Sequence, residues 1–362
     1  MSNQPNLIFI LSDDQGPWAA GCYGNPEIRT PHTDRLAARG VRFDNFFCAS
    51  PVCSPARASL LTGRIPSQHG IHQWIRGENM GPGAVQFLAS EVGYTDVLAE
   101  HGYTCGLSGK WHMGDSLHPQ HGFGFWYAHQ LGGGPYRNAP MIRDGVPYEE
   151  PGYVTDVITD EALGFLDRQG SDPFCLYVGY TAPHSPWVGH PQDVVDSYDD
   201  CPFASCPQEP RHPGAGPLTD QCLGNREMLK GYFAAVTAMD TNIGRLLDWV
   251  EAHDLVRDTL IVFGSDNGFS CGHHGFWGKG NGTYPRNMYE NSVKVPFLMS
   301  QPGVLPEGQA VSSLVSAYDF MPTLLDLLGL PLPEGRNLPG HSVAPLLTGG
   351  AVPPEQRPSI GC

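Results

Sequence analysis

The sequence predicts an α/β fold, a large and mostly parallel sheet covered by helices on both faces. Three observations carry that expectation. Continuous apolar runs at 7–11, 174–180 and 260–263 read as strands buried on both sides. Amphipathic helical stretches at 154–168 and 225–253 alternate with them. The runs give way to polar, Gly- or Pro-containing turns, and no internal repeat of fixed period is present.

In chain order, Leu7 to Leu11 is the first strand, and Ser12-Asp13-Asp14-Gln15-Gly16 is the loop it enters. A helix over 31–39 is opened by Pro31 and closed by Gly40. Phe43 to Phe47 leads to Cys53-Ser54-Pro55-Ala56-Arg57, which continues through Leu60 and Leu61 to Gly63. Residues 84–101 read as a helix with Phe87, Leu88, Val92 and Leu98 as core positions, followed by a strand over 103–107. The Gly-, His- and aromatic-rich stretch 115–150 has little periodicity and reads as loop and rim. The 190–224 stretch, dominated by Pro, Asp and Cys, is expected to be a structureless lid or binding loop. In the long helix at 225–253, Tyr232, Val236, Met239, Ile243, Leu246 and Val250 form a core stripe. A Gly/His-rich loop over 268–291, a strand near 295–299 and a helix near 318–328 complete the pattern.

The chain has 362 residues, 40% of them hydrophobic, enough for one large α/β domain. A formal net charge of −16 argues against nucleic acid or an anionic membrane as the main partner. No stretch approaches a transmembrane span. Met1-Ser2-Asn3 leads almost directly into a strand without a basic leader, which points to the cytoplasm, or to the periplasm or exterior if a signal was removed. The ten cysteines show no CxxC pair. Cys201, Cys206 and Cys222 share one loop and are candidates for a disulfide or metal cluster, although their spacing matches no common zinc pattern.

The segment from Cys53 carries the chemistry. Ser54 is expected to cap a short helix, Pro55 to occupy its first position and Gly63 to stop it. Cys53 then lies at the positive end of the helix, with Arg57 about one turn along, an arrangement for a nucleophile beside an anion. Two strand ends share one grammar: Ser12-Asp13-Asp14 and Ser265-Asp266-Asn267, each soon followed by Gly. Ligands of open α/β sheets sit beyond such carboxyl ends. Three carboxylates and an amide oxygen make a cage for a hard cation, Ca²⁺ ahead of Mg²⁺. Lys110, His112 and His184 also follow strands, and Lys279 in Trp277-Gly278-Lys279-Gly280 joins them. With a divalent cation, three carboxylates and the basic Arg57, Lys110 and Lys279 leave two positive charges, enough to attract sulfate or phosphate.

These residues resemble the type I, formylglycine-dependent sulfatases of the alkaline-phosphatase-like superfamily. The likeness runs from Asn6 to about Gly349 and is densest at Cys53-Ser54-Pro55-Ala56-Arg57 with Leu61-Thr62-Gly63. It implies a three-layer α/β/α sandwich. It implies that Cys53 becomes formylglycine, made by a formylglycine-generating enzyme, with Arg57 stabilising it. Asp13, Asp14, Asp266 and Asn267 would bind Ca²⁺. Lys110 and Lys279 would contact the sulfate, His112 would orient the hydroxyl, and His184 would touch the sulfate and assist the leaving oxygen. Leu338-Pro339-Gly340-His341-Ser342 with Pro345-Leu346-Leu347 matches a further family segment. The family continues into a small antiparallel C-terminal subdomain. The expected organisation here is therefore a catalytic domain over 1–350 and only the start of that subdomain over 351–362.

The function this implies is hydrolysis of a sulfate ester, on a sulfated small molecule or, as first expectation, a sulfated carbohydrate. The alternatives are a phosphonate or phosphate ester hydrolase of the same superfamily and a non-catalytic Ca²⁺-binding homologue. Trp74, Arg76, Trp187 and the 190–224 loop are rim candidates, and His273-His274 is expected to be packing rather than a second metal site.

Overall fold

The computed structural model describes residues 4–348 and 350, so the expected start of a C-terminal subdomain at 351–362 lies outside the described residues. Ten strands form the main sheet: β1 (Asn6–Ser12), β2 (Val41–Phe43), β3 (Thr104–Lys110), β4 (Phe123–His129), β5 (Ala139–Arg143), β6 (Val146–Glu150), β7 (Phe174–Gly179), β8 (Thr259–Ser265), β9 (Phe297–Ser300) and β10 (Gln309–Val311). Their order is β10-β2-β9-β8-β1-β7-β3-β4-β5-β6. The central block β8-β1-β7-β3-β4 is parallel throughout, and only β9 and β5 run against the rest.

Alternation along β1 explains the three layers. Leu7, Phe9 and Leu11 point to one face and pack with residues of α2 (Cys53–Thr62), α3 (Tyr94–Glu100) and α6 (Ala317–Leu327). Ile8 and Ile10 point to the other, with α1 (Pro31–Ala38), α4 (Val154–Leu166) and α5 (Arg226–Ala252). All five are fully buried, which is why β1 reads as an unbroken apolar run. Asn225 caps α5 by accepting the Glu227 N–H at 3.1 Å. Within α5, the buried Asp240 carboxylate accepts the N–H groups of His32 (3.0 Å) and Thr33 (2.7 Å). It satisfies the open end of α1 from across the layer and ties the two helices together. Among the described residues no helix is long and apolar enough to cross a membrane.

The structure corrects several expectations. The helix expected over 84–101 exists only as α3, from Tyr94. Asp96 accepts the Gly93 N–H at 2.7 Å and fixes the start there; Phe87, expected in the core, is exposed, whereas Leu88 and Leu98 are buried. The stretch 115–150 is not only loop, since it holds β4, β5 and β6. A two-residue turn, Asp144-Gly145, joins β5 to β6 with positive φ at both positions (52° and 75°). The strand near 295–299 is divided at Pro296: Lys294–Val295 pairs with Phe46–Phe47 in a small separate sheet, and β9 enters the main one. Two short helices, Gln192–Asp196 and Pro217–Cys222, lie within 190–224.

That same segment holds no disulfide. Cys206 and Cys222 are buried free thiols and Cys201 is a half-buried one. Cys206 and Cys222 share an apolar cluster with Cys271, Trp187, Phe203, Phe233, Phe269 and Trp277. Trp187, a rim candidate, is therefore a core residue. His273 bonds the Ser205 carbonyl at 2.9 Å and His274 the Asn291 side chain at 3.3 Å, in keeping with packing.

Candidate active site

Four adjacent parallel strands deliver the site. β1 and β8 run in register to their last residues, Ser12 opposite Ser265, so Asp13-Asp14 and Asp266-Asn267 leave the sheet side by side. The Asp266 N–H donates to the Ser12 carbonyl (3.2 Å) and the Asp13 N–H to that of Ala182 (3.0 Å). Asp14 adopts a left-handed backbone (φ 68°). Its N–H donates to Asp266 Oδ1 (3.3 Å), and the Tyr232 hydroxyl donates to its carbonyl (2.8 Å). Lys110 ends β3, and His112 follows it with φ 57°. His184 follows β7, with its carbonyl accepting the Tyr136 hydroxyl (2.8 Å).

α2 aims its first turn at this point. Its N-terminal residue is Cys53 and Val52 precedes it, so Ser54 is not the cap; its hydroxyl accepts the Ile75 N–H instead (3.1 Å). Pro55 is consequently the third helical residue. Gly63 ends the helix as expected, with φ 65° and its N–H on the Ser59 carbonyl (2.9 Å). Every residue of α2 is buried, so the helix has no solvent face. Cys53 Sγ lies 3.4 Å from Asp13 Oδ1 and 2.6 Å from Lys279 Nζ. Arg57 donates from Nε to Asp266 Oδ2 (2.8 Å) and from Nη1 to the Lys110 carbonyl (3.2 Å) and the Tyr177 hydroxyl (3.0 Å).

Each carboxylate has one cation: Lys110 on Asp13, Lys279 on Asp14 at 2.5 Å, and Arg57 on Asp266. Burial pushes the Asp13 carboxyl up, but Lys110, His184, Lys279 and Arg57 outweigh it and hold the group well below its ordinary range. Burial and the neighbouring Asp13 raise Asp266 to about 6, against Arg57 and the lysines. Burial, then Asp13, raises the Cys53 thiol to about 12, more than Lys110 and Lys279 lower it. At neutral pH Cys53 is a thiol, not a thiolate. His112 is driven well below its ordinary pKa by burial and then by Lys110. It is a neutral imidazole whose Nε2 donates to the Ile75 carbonyl (2.9 Å) and whose Nδ1 is a free acceptor.

Two more buried atoms of the ten expected site residues lack partners among the described residues, the Arg57 Nη2 donor and the Asn267 Oδ1 acceptor. Asp13, Asp14, Cys53 and Asp266 each place a ligand atom within 4.8 Å of one another. An orphan amide oxygen beside three carboxylates is the donor set of a hard, oxygen-preferring cation, and an orphan guanidinium N–H suits an anion. All ten expected site residues thus converge, although Lys110 and Arg57 are enclosed and do not line the cavity of about 350 Å³ that Cys53, His112, His184 and Lys279 face.

Sequence reading missed several residues. Tyr177 is an ordinary strand position with no signal in the sequence. The run Gly132-Gly133 was a signal: both line the cavity, and both pack on histidines. A Cβ on Gly132 would sit 2.1 Å from His112 Cε1, and one on Gly133 2.8 Å from His184 Nδ1. Gly132→Ala must displace the buried His112 ring, so kcat/KM is expected to fall by about 10- to 100-fold and Tm to drop as well, by an overpacking loss of about 1–3 kcal/mol. Unchanged kcat/KM in that variant would show that the close approach has no role.

The family profile described as Sulfatase matches residues 5–330. An N-acetylglucosamine-6-O-sulfatase of Bacteroides thetaiotaomicron is 28% identical, covering 98% of this chain and 73% of that protein. The N-acetylgalactosamine-6-sulfatase of Canis lupus familiaris is 31% identical, covering 96% of this chain and 67% of that protein. A solved structure of BT4656 in complex with its substrate D-glucosamine-2-N,6-O-disulfate superposes with a TM-score of 0.81 at 26% identity, covering 98% of this chain and 82% of that one.

Proposed function

As the chain belongs to the sulfatase family of sulfuric ester hydrolases, we propose that it removes the 6-O-sulfate of an amino sugar, using formylglycine made from Cys53 and a bound Ca²⁺. The observation that carries this reading is Cys53 itself. It sits at the head of a buried helix, under Lys279 and beside three carboxylates, yet its thiol stays protonated at neutral pH. A buried cysteine so placed is poor as a thiolate and well placed as a precursor. The named activities of the two relatives and the substrate named for BT4656, all carrying sulfate at position 6, support the choice of ester.

Asp13, Asp14, Asp266 and Asn267 would hold the cation, which supplies polarisation of a sulfate oxygen. Formylglycine would supply a hydrated aldehyde, an oxygen nucleophile carrying a second hydroxyl on the same carbon. The chain's own groups do the rest. His112, which lines the same cavity as Cys53, would offer its unpartnered Nδ1 to a hydroxyl proton at residue 53. Lys279, and the free N–H of Arg57 behind it, stabilise negative charge where the sulfate gathers it. His184 gives its Nδ1 N–H to the Ser185 carbonyl at 2.8 Å, which leaves Nε2, 3.8 Å from Asp14 Oδ2. That nitrogen must first take up a proton, the one released by the attacking hydroxyl, before it can pass one to the leaving oxygen.

The test is protein made alongside a formylglycine-generating enzyme, with conversion at residue 53 read by mass spectrometry. It should release sulfate from N-acetylglucosamine-6-sulfate or N-acetylgalactosamine-6-sulfate and act at least about 100-fold less on the matching 6-phosphates. EDTA should remove the activity and Ca²⁺ restore it better than Mg²⁺. Converted protein that prefers the phosphates, or cleaves neither sulfate, overturns the reading.

A further inference from the structure

The cavity over Cys53 carries a second chemistry at its mouth. Trp74, Arg76, Leu131 and Asn281 line it together with the residues already described. In a chain of net charge −16, Arg76 has no carboxylate within ion-pair distance among the described residues. Arg64 shows the contrast, with a two-pronged bond to Glu91 at 2.8 and 2.7 Å. Arg76 instead lies over the indole of Trp74, its Cζ 4.4 Å from the ring centroid. That stacking orders the plane of the guanidinium and uses none of its five N–H donors. Neither Cys53 nor any of the three clustered carboxylates touches it.

The neighbouring surface is apolar and open. Trp74 is 40% exposed and Leu131 41% exposed, two large side chains at the lip of one cavity. Paired exposed apolar groups beside a polar-floored cavity mark a ligand surface. Flat C–H faces of a sugar ring suit Trp74 and Leu131, and a planar donor fork suits a carboxylate or sulfate.

We infer that Arg76 is a specificity-determining residue that binds a second anionic group, a sulfate or a carboxylate, on the sugar bearing the scissile ester or on the sugar beside it. This rests on the sulfatase reading above and narrows it to doubly charged saccharides. The inner cations handle the sulfate that is cleaved, and Arg76 reads the charge that is not.

Wild type, Arg76→Gln and Arg76→Lys, each with formylglycine verified by mass spectrometry, are assayed on three sugars: N-acetylglucosamine-6-sulfate, glucosamine-2-N,6-O-disulfate, and a disaccharide joining a uronic acid to a 6-sulfated hexosamine. Wild type should favour at least one doubly charged sugar. Arg76→Gln should lower kcat/KM for that sugar by about 10- to 100-fold, through KM, leaving kcat and the singly charged sugar unchanged. Arg76→Lys should fall between, because it keeps the charge and loses the fork. Which doubly charged sugar suffers locates the second anion. Equal kcat/KM on all three sugars in wild type, or an equal loss on all three in Arg76→Gln, overturns the assignment and leaves the sulfatase reading standing. Converted wild type that hydrolyses none of the three overturns both.

Discussion

Cys53→Ala is expected to lower sulfate-ester turnover by at least about 10⁴-fold while leaving the folded protein intact. The reason is local. The side chain is small, buried at the head of α2, and among the described residues bonded to Lys279 and Asp13, so its loss removes the attacking atom and little packing. Cys53→Ser is expected to be almost as poor, because one hydroxyl cannot replace two on the same carbon. Protein made without the modifying enzyme should match both, since a thiol with a pKa near 12 is not ionised at neutral pH. Steady-state turnover, with Tm and residue-53 mass measured on the same samples, checks all three. Substantial turnover by Cys53→Ala would remove the nucleophile from the proposal.

Arg57→Ala is expected to damage both folding and catalysis. Its guanidinium and the Asp266 carboxylate are fully enclosed, so removing the cation leaves an uncompensated buried charge, a loss of about 3–5 kcal/mol. The bonds to the Lys110 carbonyl and Tyr177 hydroxyl are lost with it. Arg57→Lys should recover little, because one ammonium cannot span three acceptors. The double variant Arg57→Met with Asp266→Asn should regain most of the stability and none of the activity. Urea unfolding beside turnover measurements separates the two roles; a double variant as unstable as Arg57→Ala would show that the pair is not the source of the loss.

The sheet and the site were legible for one reason. Strands buried on both faces must be apolar throughout, so the point where polarity returns marks the strand end. Asp13-Asp14 and Asp266-Asn267 announce themselves that way, and the parallel register of β1 and β8 then brings them together. Tyr177 is hidden for the same reason: inside a buried strand, a residue whose hydroxyl reaches the site looks like core. β5 and β6 escaped notice because each carries a proline, Pro140 and Pro147, and their alternation is weak; only β6 lies at the sheet edge, and β5 pairs on both sides. The overlong helix at 84–101 arose from apolar spacing that imitates a helical stripe, while Gly93 and Asp96 set the real start. Trp74 and Trp187 show what spacing cannot separate. Both follow short loops near the site, yet one stands at the mouth and the other is enclosed by Tyr232, Phe269 and Trp277.

The one-to-one pairing of three carboxylates with three cations makes the floor of the site electrically neutral. A charge-balanced cluster at the floor of a cavity offers little net attraction to an isolated charge of either sign, because each of its carboxylates already has a cation beside it. A cation arriving alone must share its carboxylates with Lys110, Lys279 and Arg57, and an anion arriving alone must compete for those same side chains. Arriving together, each compensates the other. Thermodynamic reciprocity then requires that whatever factor a bound cation adds to the affinity for the anion, the anion adds to the affinity for the cation. The cation and the sulfate proposed for this site would therefore recruit one another, each binding more tightly in the presence of the other.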